Sequence, residues 1–566
     1  MPFSDNKNQQ ILQALLKAHG VKKVVASPGG TNPAMVMSFQ LDSDFELFSC
    51  VDERSAAYIA CGIAEESGEA VAICCTGATA SRNYYPALTE AFYRKLPIVV
   101  ITCSRPNYYM GHLFPQVTNR TEYPKDIFVD GEQIQHVKDE NDAWDVHFKI
   151  NKGLLAMRHL GGGPVHFNVE CQSQACTTPQ LPIIKAIKRI VVLDKYPEIN
   201  ENKVGIFIGS HKKMSYELID SIDKFCEKYN AVVFCDHTSG YYGKYSIPFS
   251  LLGTQNNKRE DLFHVPLLIH LGEISGDYLT MESIKADKVW RICEDGEPRI
   301  RFKTLDYLFE MKDLDFFTKY TDSCLNSKLD FFHNCERAYN ELLNSIPELP
   351  LSLIYIAKFL SPQMPHNCTI HFSIVNALRA WNFFKLDPSI HTNCNVGGFG
   401  IDGCTSSFIG ASLVNKNKLY FLFTGDLAFF YDLNVIGNRH IGNNVRILLL
   451  NDGKGAEFTH YRAAKFEGPV DDYIAGSGHF GNQSHELVKN FAVNLGFDYI
   501  QATDKECFLS QYKTFINPEI SEKPILFEVI TTTQGQSDSW KLLSELSYEK
   551  EEKVTTFDKI KKIFRR

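Results

Sequence analysis

Hydrophobic residues in this chain gather into short runs separated by longer amphipathic stretches. From Ile11 to about Val169 the runs are Lys22 to Ala26, Ala70 to Cys75, Pro97 to Cys103 and Val165 to Val169, each rich in β-branched residues. Their alternation with helical stretches is a βαβ rhythm, which predicts parallel strands covered by helices. Pro179 and Pro182 interrupt the pattern and read as a linker. The rhythm returns at Gly205 to Gly209, Ala231 to Cys235 and Pro266 to Leu271, a smaller unit that runs to about Asn344. Pro347 and Pro350 punctuate the next boundary, and strands follow at Leu419 to Phe423, Val445 to Leu450 and Pro524 to Ile530. The expectation is α/β architecture in three successive domains, 1–185, 186–345 and 346–566, with no internal repeat beyond the shared rhythm.

Composition narrows the class. A chain of 566 residues can bury large cores, and 44% hydrophobic, 12% aromatic and 22% charged residues are the proportions of a soluble globular protein. The net charge of −8 argues against nucleic acid as the main partner. Sixteen cysteines are scattered, often within apolar runs such as Ala72 to Cys75, and none forms a Cys-x-x-Cys pair. They read as reduced core thiols of a cytoplasmic protein. The first residues lack the apolar core of a secretory signal, and no run approaches the roughly 20 apolar residues of a spanning helix. From Tyr548 the tail is charged, with Phe557, Ile560, Ile563 and Phe564 on one helical face. Docking against the body is the expected role of that face, with a membrane or partner contact as the alternative. Gly161 to Gly163 lacks the spacing of a nucleotide fingerprint and reads as a turn.

Candidate chemistry concentrates at two strand ends. Tyr420 to Phe423 runs into Thr424-Gly425-Asp426-Leu427, and Ile447 to Leu450 runs into Asn451-Asp452-Gly453-Lys454-Gly455. In a parallel sheet both carboxyl ends open on one edge, where ligands of α/β folds bind. Asp426 and Asp452 could there share a hard cation, which favours oxygen ligands and readily takes phosphate oxygens. Asp426 could equally cap the helix that follows, and its spacing alone leaves both readings open.

These residues resemble the metal and diphosphate motif of thiamine-diphosphate enzymes. The continuation Leu427-Ala428-Phe429-Phe430-Tyr431-Asp432-Leu433-Asn434 more narrowly resembles the 2-succinyl-5-enolpyruvyl-6-hydroxy-3-cyclohexene-1-carboxylate synthase family of the menaquinone pathway. Other ordered segments are similar to the same family: Ser27-Pro28-Gly29-Gly30-Thr31 to its Ser-Pro-Gly-Ser-Arg turn, and Asp52-Glu53-Arg54-Ser55-Ala56 to its Asp-Glu-Arg-Ser-Ala. Cys75-Thr76-Gly77-Ala78-Thr79-Ala80 is similar to its Cys-Thr-Ser-Gly-Thr-Ala, and Ile101 to Pro106, Gly163 to Asn168 and Gly397 to Gly403 also match. The resemblance covers the first and third domains, the middle one matching only in rhythm.

The resemblance implies three Rossmann-like parallel-sheet domains, a pyrimidine-binding one first and a diphosphate-binding one last. It implies thiamine diphosphate with Mg²⁺ or Mn²⁺, held by Asp426, Asp452 and the carbonyl of Lys454. Glu53 inherits the carboxyl that hydrogen-bonds the aminopyrimidine ring, and Thr76, Gly425 and Leu427 fall among the cofactor contacts. Ile401 falls where a bulky aliphatic residue bends the cofactor rings together. The substrates implied are a small 2-oxo acid donor and an acceptor, handled by a homodimer or homotetramer. The substrate contacts would be Gly30, Thr31, Arg105, Gln116, Arg379, Val396, Glu457 and Phe458.

The chain also departs from the family. Asp452 stands where the family has Asn, making the site more negative. Thr31 and Val396 replace arginines, and Glu457 replaces an aliphatic residue. Since bidentate arginines suit carboxylates, two lost cations and a gained anion predict a changed, less anionic acceptor. The same departures leave one alternative open, a catalytically silent relative that serves as a binding or regulatory subunit.

Overall fold

The structure is a computed structural model describing residues 2–120, 122–255, 259–321, 328–455, 484 and 486–546. Glu457, Phe458 and the amphipathic tail beyond Tyr548 lie outside the described residues. By internal contacts the chain divides into two units, Met1–Tyr196 with Val289–Met311, and Pro197–Lys288 with Lys312–Arg566.

The first unit is built on six parallel strands. In spatial order they are Glu46–Ser49, Lys23–Ala26, Val71–Thr76, Ile98–Ser104, Val165–Glu170 and Asp130–Ile134. Every residue of Ile98–Ser104 is buried, because helices cover both faces of the sheet. One layer gathers Leu12, Leu15, Phe39, Ile150, Leu154 and Phe167. The other gathers Ala56, Ala60, Tyr84, Leu88 and Phe128. The helix Glu140–Ala156 owes its close approach to Gly153, where a Cβ would stand 2.7 Å from the Phe167 ring. Three further parallel strand segments belong to this unit: Lys188–Val191, Tyr307–Glu310 and the residues Trp290–Ile292.

The second unit contains the central parallel strand Val204–Ile208, flanked by Ala231–Cys235 and His264–Leu271, with Ser246–Ile247 beyond the former. It also contains six parallel strands in the order His391–Cys394, Thr369–Phe372, Tyr420–Gly425, Val445–Asn451, Ile525–Ile530 and Asp498–Ala502. Counted along the chain, this sheet and that of the first unit share one order, 2-1-3-4-6-5. In each, the chain steps outward from strand one to strand two and returns on the other side as strand three. That reversal opens a crevice at the carboxyl ends of strands one and three.

The expected α/β class with parallel strands is therefore what the molecule has. No described helix is long and apolar enough to cross a membrane.

One buried histidine makes the first sheet acid-sensitive. The His166 ring stacks on Phe128 at 4.9 Å, with Nε2 2.8 Å from the Thr102 hydroxyl. Burial, reinforced by Arg120, pushes its pKa down to about 3. The unfolded chain regains an ordinary imidazole near pKa 6.5, so it binds the proton first. The stabilisation is therefore complete above pH 6.5 and is lost as pH falls towards 3. At about 1.4 kcal/mol per pH unit, urea unfolding should show a loss of up to about 2 kcal/mol between pH 6.5 and 5. His166→Gln should start less stable and flatten that slope, and an unchanged slope would place the acid sensitivity elsewhere.

Candidate active site

At the ligand edge of the first unit, the turn after Lys23–Ala26 is held by its own side chains. Asn32 Oδ1 accepts from the Gly29 N–H at 2.8 Å, and its Nδ2 donates to the Ser27 carbonyl at 3.0 Å. A Cβ at Gly29 would come within 2.9 Å of Thr76, so the turn sits directly on the end of the third strand. Thr31 is buried, and its hydroxyl donates to the Cys103 carbonyl at 2.5 Å and pairs with the Thr76 hydroxyl. Its N–H also reaches Thr76 Oγ1 at 3.2 Å. Thr31 and Thr76 thus meet, and both are committed to the strand ends, while Gly30 beside them is exposed.

Glu53 is the first residue of the helix Glu53–Ser67, whose N-terminus Asp52 caps by accepting from the Arg54 N–H. The Glu53 side chain is half-buried, and its Oε2 accepts from Asn83 Nδ2 at 3.1 Å. Asn83 ends the short helix Thr79–Asn83, which begins after Ala78. Ala78 has φ 63° and ψ −133°, a conformation that glycine adopts freely and other residues adopt under strain. Arg105 and Gln116 are exposed, Gln116 with φ 61°. The Arg105 carbonyl is gripped by buried Arg120, whose guanidinium also donates to Asn107 and Asn168. Asn83 and Arg120 belong to no motif, and only the folded chain brings them to this edge.

In the second unit, Asp426 opens the helix Asp426–Tyr431 directly after Tyr420–Gly425. Its Oδ1 accepts from the Leu427 N–H at 2.6 Å, but the N-cap of this helix is Gly425 and no side chain caps it, so Asp426 does not play the capping role. Its Oδ2 reaches across to the next strand's exit and accepts from the N–H groups of Gly453 and Lys454 at 2.7 and 3.1 Å. Asp452 Oδ1 accepts from the Lys454 N–H at 3.3 Å. Burial, together with the neighbouring Asp426 carboxylate, pushes the Asp452 carboxyl up to about 8. Two carboxylates crowded at one strand edge disfavour sharing that space as anions, and a divalent ion would relieve the repulsion. The donor set therefore fits a hard cation. Among the described residues no three His, Cys, Asp or Glu side chains converge, so the remaining ligands would be carbonyl, water or phosphate oxygens.

The exit of Val445–Asn451 is braced from behind. Asn451 Nδ2 donates to Glu528 Oε1 at 2.7 Å, and the Tyr499 hydroxyl donates to Glu528 Oε2 at 2.6 Å. A glutamate inside the apolar run Ile525–Ile530 is a signal the sequence offered, since a buried charge needs partners. Asp432 plays a similar part, accepting from the Ser406 N–H and hydroxyl at 2.5 and 2.6 Å.

The segment after His391–Cys394 carries Val396 and Ile401. Val396 is buried, with Cγ1 3.4 Å from where a Gly276 Cβ would stand. Ile401 is half-buried. Arg379 lies on the helix Asn376–Trp381, its guanidinium 5.9 Å from the Tyr278 ring, and Tyr278 in turn is 5.6 Å from Phe399. Val375, which precedes that helix, has φ 76° and ψ −113°, a marked outlier for a β-branched residue. The Tyr278 contact is also invisible to motif reading.

Comparison with known proteins identifies the family. Residues 7–123 match the family described as thiamine pyrophosphate enzyme, N-terminal TPP binding domain. The 2-succinyl-5-enolpyruvyl-6-hydroxy-3-cyclohexene-1-carboxylate synthase of Bacteroides fragilis is 30% identical over 548 residues, covering 94% of this chain and 97% of that protein. The proteins of the same name from Phocaeicola vulgatus and Bacteroides thetaiotaomicron are 30% and 28% identical, each covering 94% of this chain and 96% of the relative. With such a match over nearly its whole length, the chain belongs to the 2-succinyl-5-enolpyruvyl-6-hydroxy-3-cyclohexene-1-carboxylate synthase family of thiamine pyrophosphate enzymes.

Proposed function

We propose that this protein is a thiamine-diphosphate- and magnesium-dependent carboligase that decarboxylates a 2-oxo acid and transfers the acyl group to an acceptor different from that of the menaquinone pathway. The observation that carries the reading is the meeting of Asp426 and Asp452 at the carboxyl edge of two adjacent parallel strands. Asp426, Asp452 and the Lys454 carbonyl would hold the metal, Mg²⁺ or Mn²⁺, against the cofactor's diphosphate. Thiamine diphosphate supplies the electron sink that lets carbon dioxide leave a 2-oxo acid.

The chain's own contribution to that chemistry is proton management. Glu53 would hold a proton at the aminopyrimidine ring nitrogen, with the Asn83 amide fixing the carboxyl through Oε2. Ile401 would press the cofactor into its bent shape from below. A changed acceptor is supported by the two replaced arginines, since the Thr31 hydroxyl is spent on strand ends and Val396 is packed among apolar groups. We read the working unit as a homodimer or homotetramer, a reading supported by exposed Tyr58 and Ile59 on the Glu53 helix.

Three measurements test this. Asp426→Ala should abolish magnesium-dependent binding of thiamine diphosphate in calorimetry, and an unchanged affinity would remove the metal assignment. Glu53→Gln keeps the shape of the side chain without its exchangeable proton, so it should retain much of the cofactor affinity. Deuterium exchange at C2 of the bound cofactor should slow in that variant by about 10² to 10⁴. Equal exchange in both proteins would end the role given to Glu53 and favour a silent relative. Finally, two missing charge-assisted contacts, each worth roughly 1.5 to 3 kcal/mol, should lower kcat/KM for isochorismate with 2-oxoglutarate by about 10² to 10⁴ against a family member that keeps both arginines. Comparable turnover would restore the menaquinone-pathway acceptor.

A further inference from the structure

A cavity of about 250 Å³ opens within the second unit, where the turn after Ala231–Cys235 meets the segment 382–392. One wall lies at the carboxyl end of a parallel strand, the usual place for ligands in such folds. The other leads into His391–Cys394, and His391 is level with Thr369, which is itself level with Tyr420. Asp426 follows Gly425, at the far end of that last strand. At about 3.3 Å per residue, the five steps from Tyr420 to Gly425 put roughly 16 Å between the two edges.

The walls are fixed to each other. The His237 N–H donates to Asn382 Oδ1 at 3.2 Å, and its ring Nε2 lies 3.0 and 3.1 Å from the carbonyls of Trp381 and Phe384. Burial holds this histidine below the usual imidazole range, so the neutral ring donates to those carbonyls through Nε2. The Thr392 N–H donates to the Tyr242 hydroxyl at 3.1 Å, and its own hydroxyl donates to the His237 carbonyl. Gly240, with φ 66°, turns so tightly that a Cβ would stand 2.3 Å from the Lys212 carbonyl oxygen. The cavity is therefore built before any ligand arrives.

Its chemistry is one-sided. Among the described residues Asp236 is the only acid lining it, and that carboxylate accepts from Thr238, Ser239 and Ser275. Lys244 and Lys385 also line it, both exposed, and among the described residues neither takes part in a salt bridge. Asn382, only 4% exposed, has an Nδ2 group without a hydrogen-bond partner among the described residues. Tyr242 and Phe384 supply aromatic surface. The volume lies below the roughly 300 to 1,000 Å³ of pockets for drug-sized ligands, which limits the occupant to about one ring.

We propose that this cavity is a second ligand site that takes a small anion built on a single flat ring, with the ring against Tyr242 and Phe384 and its carboxylate or phosphate at Lys244 and Lys385. The test uses the full chain with benzoate and phenyl phosphate as probes and benzyl alcohol as the uncharged control. Saturable binding of at least one anion, with Kd below about 1 mM and at least tenfold tighter than benzyl alcohol, is expected in ligand-observed magnetic resonance. Which anion binds more tightly tells a carboxylate site from a phosphate site. Leu386→Trp should fill the space and Lys385→Gln should remove one cation, each weakening binding at least tenfold. Far-ultraviolet dichroism of both variants confirms that any loss is not unfolding, and Lys385→Gln, at an exposed position, keeps the test decisive if Leu386→Trp fails to fold. Thiamine diphosphate with magnesium should not displace the probe. Absent or uncharged-equivalent binding, full affinity in the folded variants, or displacement by the cofactor would each overturn the proposal, and none of these bears on Glu53 or Asp426.

Discussion

The register between Tyr420–Gly425 and Val445–Asn451 is the constraint on which the candidate site depends. Gly425 is level with Leu450, so Asp426 and Asp452 leave the sheet on the same edge, where both accept from the Lys454 N–H. A slip of one residue would turn every side chain of one strand to the opposite face and bury the wrong set. The apolar interior of both strands therefore fixes the position of two carboxylates that contribute nothing to that interior. Braces such as Glu528 and Asp432 refine an arrangement that strand pairing has already made.

The shared 2-1-3-4-6-5 order gives a common grammar to the two sheets. In each, the segment after strand two and the segment after strand three carry candidate chemistry. Glu53 follows Glu46–Ser49 as Ile401 follows His391–Cys394, and Thr76 ends Val71–Thr76 as Gly425 ends Tyr420–Gly425. Strained residues recur as well, Ala78 and Val375 each turning the chain into a short helix that carries a candidate site side chain, Asn83 in one case and Arg379 in the other. The sequences of the two halves share no repeat that could be read directly. What they share is the topology, which selects the same exits for function.

Legibility followed burial. The strands apparent as apolar runs, such as Ile98–Ser104 and Val445–Asn451, are central ones buried on both faces. Those that escaped were mostly edges: Glu46–Ser49, Asp130–Ile134, His391–Cys394 and Asp498–Ala502 are partly exposed, so nothing forces them to be apolar. In the same way, Asp426 and Glu53 stand in short local motifs that mark them as candidates, whereas Asn83 and Tyr278 contact residues 30 and about 100 positions away and carry no local mark. Local sequence encodes which residue leaves a strand end. It does not encode which distant side chain will meet it.

Those unremarkable edge strands have a consequence of their own. A parallel sheet ends in a row of unpaired backbone groups, a template on which another chain can add a strand and begin to aggregate. Here each six-stranded sheet terminates at both sides in a strand of four or five residues carrying polar or charged side chains, including Glu46, Glu132, His391 and Asp498. Short length offers few backbone pairings, and the charges must be desolvated before a neighbour can dock. The buried, β-branched strands, which would be the most adhesive if uncovered, all lie inside these edges. The margins of both sheets are thus poor templates for edge-to-edge strand addition.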